Sequence, residues 1–322
     1  MYTDFSPGTD IDVLHDALFQ GAIVRLEGLP EMSGIVAFTR SFLEERLAPV
    51  EPVLIHQMQG DVAELCATLQ RDYANSSEVK QLWTSLFEAV GLDPHTAVRD
   101  RLTLRFQLPT PASGERPWAR STATVPFHRD TWGTNLYAQV NWWAPVYQIT
   151  AGRTFAFLPE LFARPVRNNS NDFDILAIME RNRGRGQPVR QGEMVPQLLE
   201  EIDLAEAQPV TIAPGEIILF SSQHAHVGVP NGTDLTRISL ETRTLRLTDI
   251  EAGRGARNVD GRARWVSYGM FRRIADGTPL PDIIGVNAFE PFSATESRDI
   301  QHPASAAKQF VVTELDTPRS SR

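Results

Sequence analysis

Apolar positions fall at helical spacing through most of the first 97 residues and at a spacing of two after that. Ile11, Leu14, Ala17 and Leu18 predict a short helix, and Ala22–Glu27 reads as a strand. Three longer helices are then expected. Met32–Ala48 places Ile35, Phe38, Phe42 and Leu43 on one face, Asp61–Tyr73 places Val62, Leu65, Cys66 and Leu69, and Ser77–Val90 places Val79, Leu82, Trp83, Leu86 and Phe87. Arg101–Leu108 alternates, with Leu102, Leu104, Phe106 and Leu108 opposite Thr103, Arg105 and Gln107. Its polar face meets either solvent or a cavity, and in a cavity Arg105 and Gln107 would be ligand contacts. Residues 109–124 are rich in Pro, Ser, Gly and Thr and read as a loop. Further strands are expected over Leu136–Trp143, Thr154–Leu158, Pro209–Ile212, Glu216–Phe220, Leu235–Leu247 and Arg264–Phe271, with a strand also carrying His128 and Asp130. Helical patterns at Phe173–Arg183 and Met194–Ala207 make residues 160–208 a helical, lid-like insertion, and the tail from 297 is polar.

Helices followed by many short strands give a mainly β chain with α elements. The expectation is one domain over 1–322, with a helical N-terminal support (1–97) and a double-stranded β-helix of the jelly-roll or cupin-like kind (98–272). The net charge of −9 argues against a nucleic-acid partner, and no apolar run approaches membrane-spanning length. The single cysteine, Cys66, excludes an intramolecular disulfide and a cysteine-based zinc site. The N-terminus lacks the basic and apolar regions of a signal peptide, so a cytoplasmic location is expected.

Candidate chemistry sits in two stretches. In Val125–Asn135, His128 and Asp130 are two apart, which on a strand puts an imidazole and a carboxylate on one face: two thirds of a facial metal triad. In Pro214–Gly232 a Pro-Gly turn and an apolar strand lead to His224 and His226, either of which could supply the third ligand. Arg237, Ser239, Glu241 and Arg243 share a face of the next strand. His128-Arg-Asp130 with Asn135 also matches a protein-kinase catalytic loop. However, residues 1–127 hold no G-x-G-x-x-G, their only lysine is Lys80 in a helical pattern, and Asp172-Phe-Asp174 lacks the glycine of the kinase magnesium motif.

Taken together, His128-Arg-Asp130, Gly215-Glu216, a histidine followed five residues later by Asn231, and Arg237-x-Ser239 resemble the iron(II)/2-oxoglutarate-dependent dioxygenases, nearest to the phytanoyl-CoA dioxygenase-like branch. The resemblance covers roughly residues 100–250. It selects His226 over His224 and implies His128, Asp130 and His226 as iron ligands. It further implies 2-oxoglutarate and O2 as cosubstrates, with Arg237 and Ser239 on the far carboxylate of 2-oxoglutarate and Gln107 and Asn141 nearby. The chain departs from the family at Glu216, where Asp is usual, and at Pro159-Glu-Leu-Phe162, where Pro-Gly-Ser-His is usual. Asp130 argues against halogenation, since related halogenases carry a small residue there. Hydroxylation of a C–H bond in a small polar or anionic metabolite, with succinate and CO2 as co-products, is the expectation; desaturation, epimerisation and ring formation stay open, as does oligomeric state. Arg105, Trp132, Trp143 and Arg243 are the candidate substrate contacts, and Trp142 is read as packing. The rival readings are a non-catalytic cupin-like binding barrel and an iron oxygenase that does not use 2-oxoglutarate.

Overall fold

A computed structural model describes residues 1–6, 8–111, 122, 124–183 and 195–292. Most of the loop at 109–124, the start of the second expected insertion helix and the polar tail lie outside these residues. β1 (Tyr2–Asp4) and β2 (Ile23–Leu26) flank α1 (Ile11–Phe19). α2 (Pro30–Leu47), α3 (Val62–Asn75) and α4 (Ser77–Ala89) follow. Asp61 caps α3 by accepting from Glu64 N–H, and Ser76 caps α4 by accepting from Val79 N–H.

The strands are β3 (Ala97–Arg99), β4 (Thr103–Gln107), β5 (Val140–Pro145), β6 (Phe155–Phe157), β7 (Gln208–Pro209), β8 (Ile217–Ser221), β9 (His226–Gly228) and β10 (Arg237–Arg246). Two-residue strands β11 (Trp265–Val266) and β12 (Arg272–Arg273) come later. One eight-stranded sheet runs β1-β2-β8-β5-β10-β3-β12, with β4 beside the first half of β10; only β1 and β2 pair in parallel. A second sheet runs β7-β6-β9, and an antiparallel bridge joins β9 at His226 to His128.

Alternation assigns the two faces of the large sheet. Leu104, Phe106, Val140, Trp142, Ala144, Ile217, Leu219, Ile238 and Leu240 pack against α1–α4 in one cluster. Phe87 meets Trp142 edge-on at 5.2 Å, and the Trp142 indole donates to Thr244 Oγ1 at 2.9 Å, so Trp142 is a packing residue. Each such fully buried large apolar side chain contributes about 1.5–3 kcal/mol. On the other face, Ile23, Trp143, Ile218 and Phe220 meet Phe155 and Phe157 of the small sheet. The polar set Arg105, Gln107, Asn141, Arg237, Ser239 and Arg243 shares that face. The layers are therefore helices, large sheet and small sheet, and the candidate chemistry lies between the sheets.

Three sequence expectations are corrected. Besides the expected helix and the expected strand at Ala22–Glu27, the first residues supply an unexpected strand, β1, paired with β2 in the large sheet. In the insertion, the helix Ile175–Arg183 forms, but residues 195–207 are not helical. Leu199 N–H bonds to Arg167 O and Asn169 N–H to Gln197 O, and the Asp203 carboxylate accepts from Ala205 N–H, so this backbone is held by neighbours and a local turn instead. The apolar residues Leu198, Ile202 and Leu204 still reach a core, against Val227 and Val229. The expected strand at Arg264–Phe271 contracts to β11 and a 3-10 turn at Tyr268–Met270. Among the described residues no helix is long and apolar enough to cross a membrane.

Candidate metal centre

His128, Asp130 and His226 come together, offering one ligand atom each, all within 4.8 Å of one another. His226 opens β9, the edge of the small sheet that faces the turn bearing the other two. His128 and Asp130 are not on a regular strand, contrary to expectation. His128 makes the single bridge to His226, with N–H···O bonds of 3.0 Å in both directions, and Asp130 begins a 3-10 turn, Asp130–Trp132. Arg129 holds this turn in place. Its fully buried guanidinium donates to Asp260 Oδ2 at 3.1 Å and to the carbonyls of Gln223, Leu161 and Arg164 at 2.7–2.8 Å.

Both histidines have fixed tautomers. His128 Nδ1 lies 2.9 Å from Pro126 O and His226 Nδ1 lies 3.0 Å from His224 O. A carbonyl only accepts, so each Nδ1 carries the proton and each Nε2 keeps its lone pair for a metal. Asp130 is oriented in the same manner. Its Oδ2 accepts from Gln139 Nε2 at 3.0 Å, Asn141 Nδ2 at 2.8 Å and Arg243 Nε at 3.4 Å, while Oδ1 lies 3.5 Å from His128 Nε2. Burial alone would raise this carboxyl's pKa, but the Arg243 guanidinium beside it holds it well below the ordinary range. An ionised carboxylate and two imidazoles whose Nδ1 atoms are committed to backbone carbonyls, leaving Nε2 toward the cluster, suit a borderline divalent metal such as iron(II).

His224 does not belong to this cluster. It is buried, with Nε2 3.1 Å from Gly21 O and Nδ1 3.1 Å from Ser221 Oγ. Nδ1 also lies 3.2 Å from Ser221 O, so both ring nitrogens are engaged by oxygens of Gly21 and Ser221 and neither is offered to the cluster. His224 therefore ties the β8–β9 turn to Gly21, two residues before β2.

Burial pushes the His226 pKa down from 6.5 to about 3, with help from His128, and burial takes His224 down to about 4. Below about pH 6.5 an unfolded chain would take up protons that the fold refuses, so this stability is full above that pH and declines as pH falls toward 4. Taking the apoprotein from pH 7.5 to 5.5 is expected to lose roughly 1.4 kcal/mol per histidine, about 3 kcal/mol for the pair. Urea titration measures this directly, and His224→Gln should remove about half of the loss. An unchanged pH dependence in that variant would show that His224 is not held neutral.

The other expected site residues divide into two groups. Arg237 is 6% exposed, and among the described residues its Nε and Nη1 have no hydrogen-bond partner; nor do Ser239 Oγ and Gln107 Oε1. Gln107 is the β4 register partner of Arg237, and its Nε2 donates to Val229 O at 2.7 Å and Thr124 Oγ1 at 2.8 Å. The Arg237 guanidinium lies over the Trp143 ring, 5.9 Å from its centre, and Trp143 meets Phe155 at 5.0 Å, which meets His226 at 6.0 Å. Burial lowers the Arg237 pKa to about 10, so it remains a cation at neutral pH. A buried guanidinium with two bare N–H groups is costly unless an anion joins it, and a carboxylate matches that fork.

The remaining candidates are already engaged. Asn141 holds Asp130 rather than standing beside Arg237, and Gln139 does the same work. Arg105 pairs with Glu241 at 2.6 Å. Trp132 is fully buried against Phe127 and donates to Asp260 Oδ1 at 2.7 Å, so it packs beneath the ligand turn and does not wall a cavity. Arg243 bridges Asp130 and Asp100. Gln139, Asp100, Arg129 and Asp260 were not among the expected site residues. Gln139 alone left a signal, sharing a face with Asn141 two residues on.

No family model and no curated protein matches the chain in sequence. Its structure is similar to the apo form of the non-haem monooxygenase ThoJ, at 15% identity over 72% of this chain and 77% of that one, with a TM-score of 0.43. It is also similar to EvdO2 from Micromonospora carbonacea var. aurantiaca (14%, 87% and 98%, TM-score 0.44) and to the α-ketoglutarate-dependent epimerase SnoN from nogalamycin biosynthesis (14%, 73% and 84%, TM-score 0.38). Scores below 0.5 describe a loose likeness of fold, and the chemistry of the site stands on its own side chains.

Proposed function

We propose that this chain is a non-haem iron(II)- and 2-oxoglutarate-dependent oxygenase acting on a C–H bond of a small polar molecule, with hydroxylation as the reaction. The large and small sheets are read as the two sheets of a double-stranded β-helix. The observation that carries the proposal is a pairing on the inner face: a two-histidine, one-carboxylate cluster beside a buried arginine and serine with empty hydrogen-bonding atoms. Either half alone has simpler explanations. Together they match a metal and a dicarboxylate bound side by side.

His128 Nε2, His226 Nε2 and Asp130 would hold iron(II), and Arg237 with Ser239 would take the far carboxylate of 2-oxoglutarate. Bound iron supplies the redox chemistry that couples 2-oxoglutarate and O2 to substrate oxidation, releasing succinate and CO2. The chain's own part is orientation and exclusion. Backbone carbonyls at Pro126 and His224 set the imidazoles, Gln139, Asn141 and Arg243 set the carboxylate, and Phe155, Phe220 and Trp143 keep that side of the site apolar. Arg105 and Arg243 are both paired with carboxylates, which favours a polar substrate over one anchored by a free arginine.

An anaerobic titration of the purified apoprotein with iron(II) and then 2-oxoglutarate tests the proposal. A weak visible charge-transfer band that appears only with both is the expected result. No retained metal and no band would move the chain to a non-catalytic barrel; metal without any 2-oxoglutarate effect would leave an iron protein that does not use it.

A further inference from the structure

Resting on that reading of the metal centre, we infer that Arg243, itself fixed by Asp100, is a positioning residue that holds Asp130 to a single ligating oxygen. Arg243 lies on β10 opposite Asn141 of β5, and its guanidinium reaches Asp130 Oδ2 at 3.4 Å. Asp100 grips it from behind. Asp100 Oδ2 accepts from Arg243 Nη1 at 3.0 Å, and Oδ1 accepts from Arg243 N–H at 2.8 Å and Thr242 Oγ1 at 3.1 Å. The carboxylate of Asp100 thus accepts three hydrogen bonds, and it fixes both the backbone and the head group of the same arginine.

The consequence at Asp130 is an unequal carboxylate. Three N–H donors, from Gln139, Asn141 and Arg243, converge on Oδ2, and Oδ1 is left toward His128 Nε2. A carboxylate oxygen that already accepts three donors has no lone-pair direction left for a metal. Gln139 and Asn141 are neutral donors, and Gln139 Nε2 is shared with Asn141 Oδ1 at 2.9 Å. Arg243 is the one cation of the three. It alone both orients Oδ2 and draws charge onto it, which keeps Asp130 a one-oxygen ligand and leaves a coordination position for the cosubstrates. Lysine could not reproduce this, because a point charge cannot donate in two fixed directions to two carboxylates.

The test uses cobalt(II) as a probe, because its visible absorption reports coordination number and its affinity is measured calorimetrically without turnover. Arg243→Met is expected to weaken cobalt(II) and iron(II) binding by about 10- to 100-fold, the range for losing a group that orients a metal ligand. It should also change the cobalt spectrum, as Asp130 becomes free to turn. Arg243→Lys should recover part of the affinity but not the spectrum. Because Arg243→Met strands a buried Asp100 carboxylate, Arg243→Met/Asp100→Asn is the second variant to read, and its loss should be no greater than that of Arg243→Met alone. Wild-type affinity and an unchanged spectrum in either methionine variant would overturn the inference. So would losses from Asp100→Asn and Arg243→Met that simply add. Failure of the wild-type protein to bind either metal would instead overturn the proposed function itself.

Discussion

Replacing His226 with alanine is expected to remove iron(II) binding, while replacing His224 leaves it. The two histidines are two residues apart in one short segment, His224 buried and His226 half-buried, and their hydrogen bonds separate their roles. His226 gives its Nδ1 proton to a carbonyl and keeps Nε2 beside His128 and Asp130. His224 uses both nitrogens, one toward Gly21 O and one toward Ser221 Oγ. Loss of a direct ligand should weaken binding by more than about 100-fold, the upper end for losing a group that only supports one. His224→Ala leaves a buried carbonyl unpaired and should instead lower stability by roughly 1–3 kcal/mol. Calorimetric titration with iron(II) under argon, alongside urea denaturation, separates the two outcomes. Wild-type iron affinity in His226→Ala would remove the proposed triad.

The second large effect is expected at Arg237. Arg237→Met keeps most of the volume against Trp143 and removes the charge. With iron(II) present, the 2-oxoglutarate concentration needed for half-saturation should rise about 150-fold, equivalent to roughly 3 kcal/mol for losing a desolvated charge pair. The sign of the stability change is the more telling measurement. A structural arginine leaves partners unpaired when removed, whereas Arg237 Nε and Nη1 have none to leave among the described residues. The apoprotein melting temperature of Arg237→Met should therefore hold or rise. A strong destabilisation with unchanged 2-oxoglutarate affinity would make Arg237 a packing residue and empty the cosubstrate site.

Side-chain identity and spacing made the ligand set legible, because few chemistries ask for His-x-Asp with a distal histidine. The strand expected at 128–130 was wrong because period and composition do not report where a backbone's bonds go. There, Thr131 N–H bonds to Ser222 O, and a buried arginine supplies the rest of the hold. Alternation on β10 showed that Arg237 and Arg243 share a face but not how differently they are used. One is bare; the other faces Asp100, whose carboxylate lies 143 residues away in the chain. The same limit explains Trp132 and Trp143, equal as letters, one clamped by Asp260 and one under a guanidinium. Nor does alternation show that Asn141, expected near the cosubstrate, donates to Asp130 eleven residues earlier. The three long N-terminal helices were legible to within a few residues because their apolar stripes meet one sheet face and need no particular partner.

The way Arg129 is held bears on the order in which the molecule assembles. The four groups that accept from its guanidinium lie 32, 35, 94 and 131 residues further along the chain. Each contact closes a long loop, so each depends on strands and loops that must already have met. Two of the three ligands ride on that turn. The ability to capture a metal therefore arrives late in folding, after the segment around Asp260 has docked, and a nascent chain that has emerged only as far as His226 carries all three ligands without yet being a binding site.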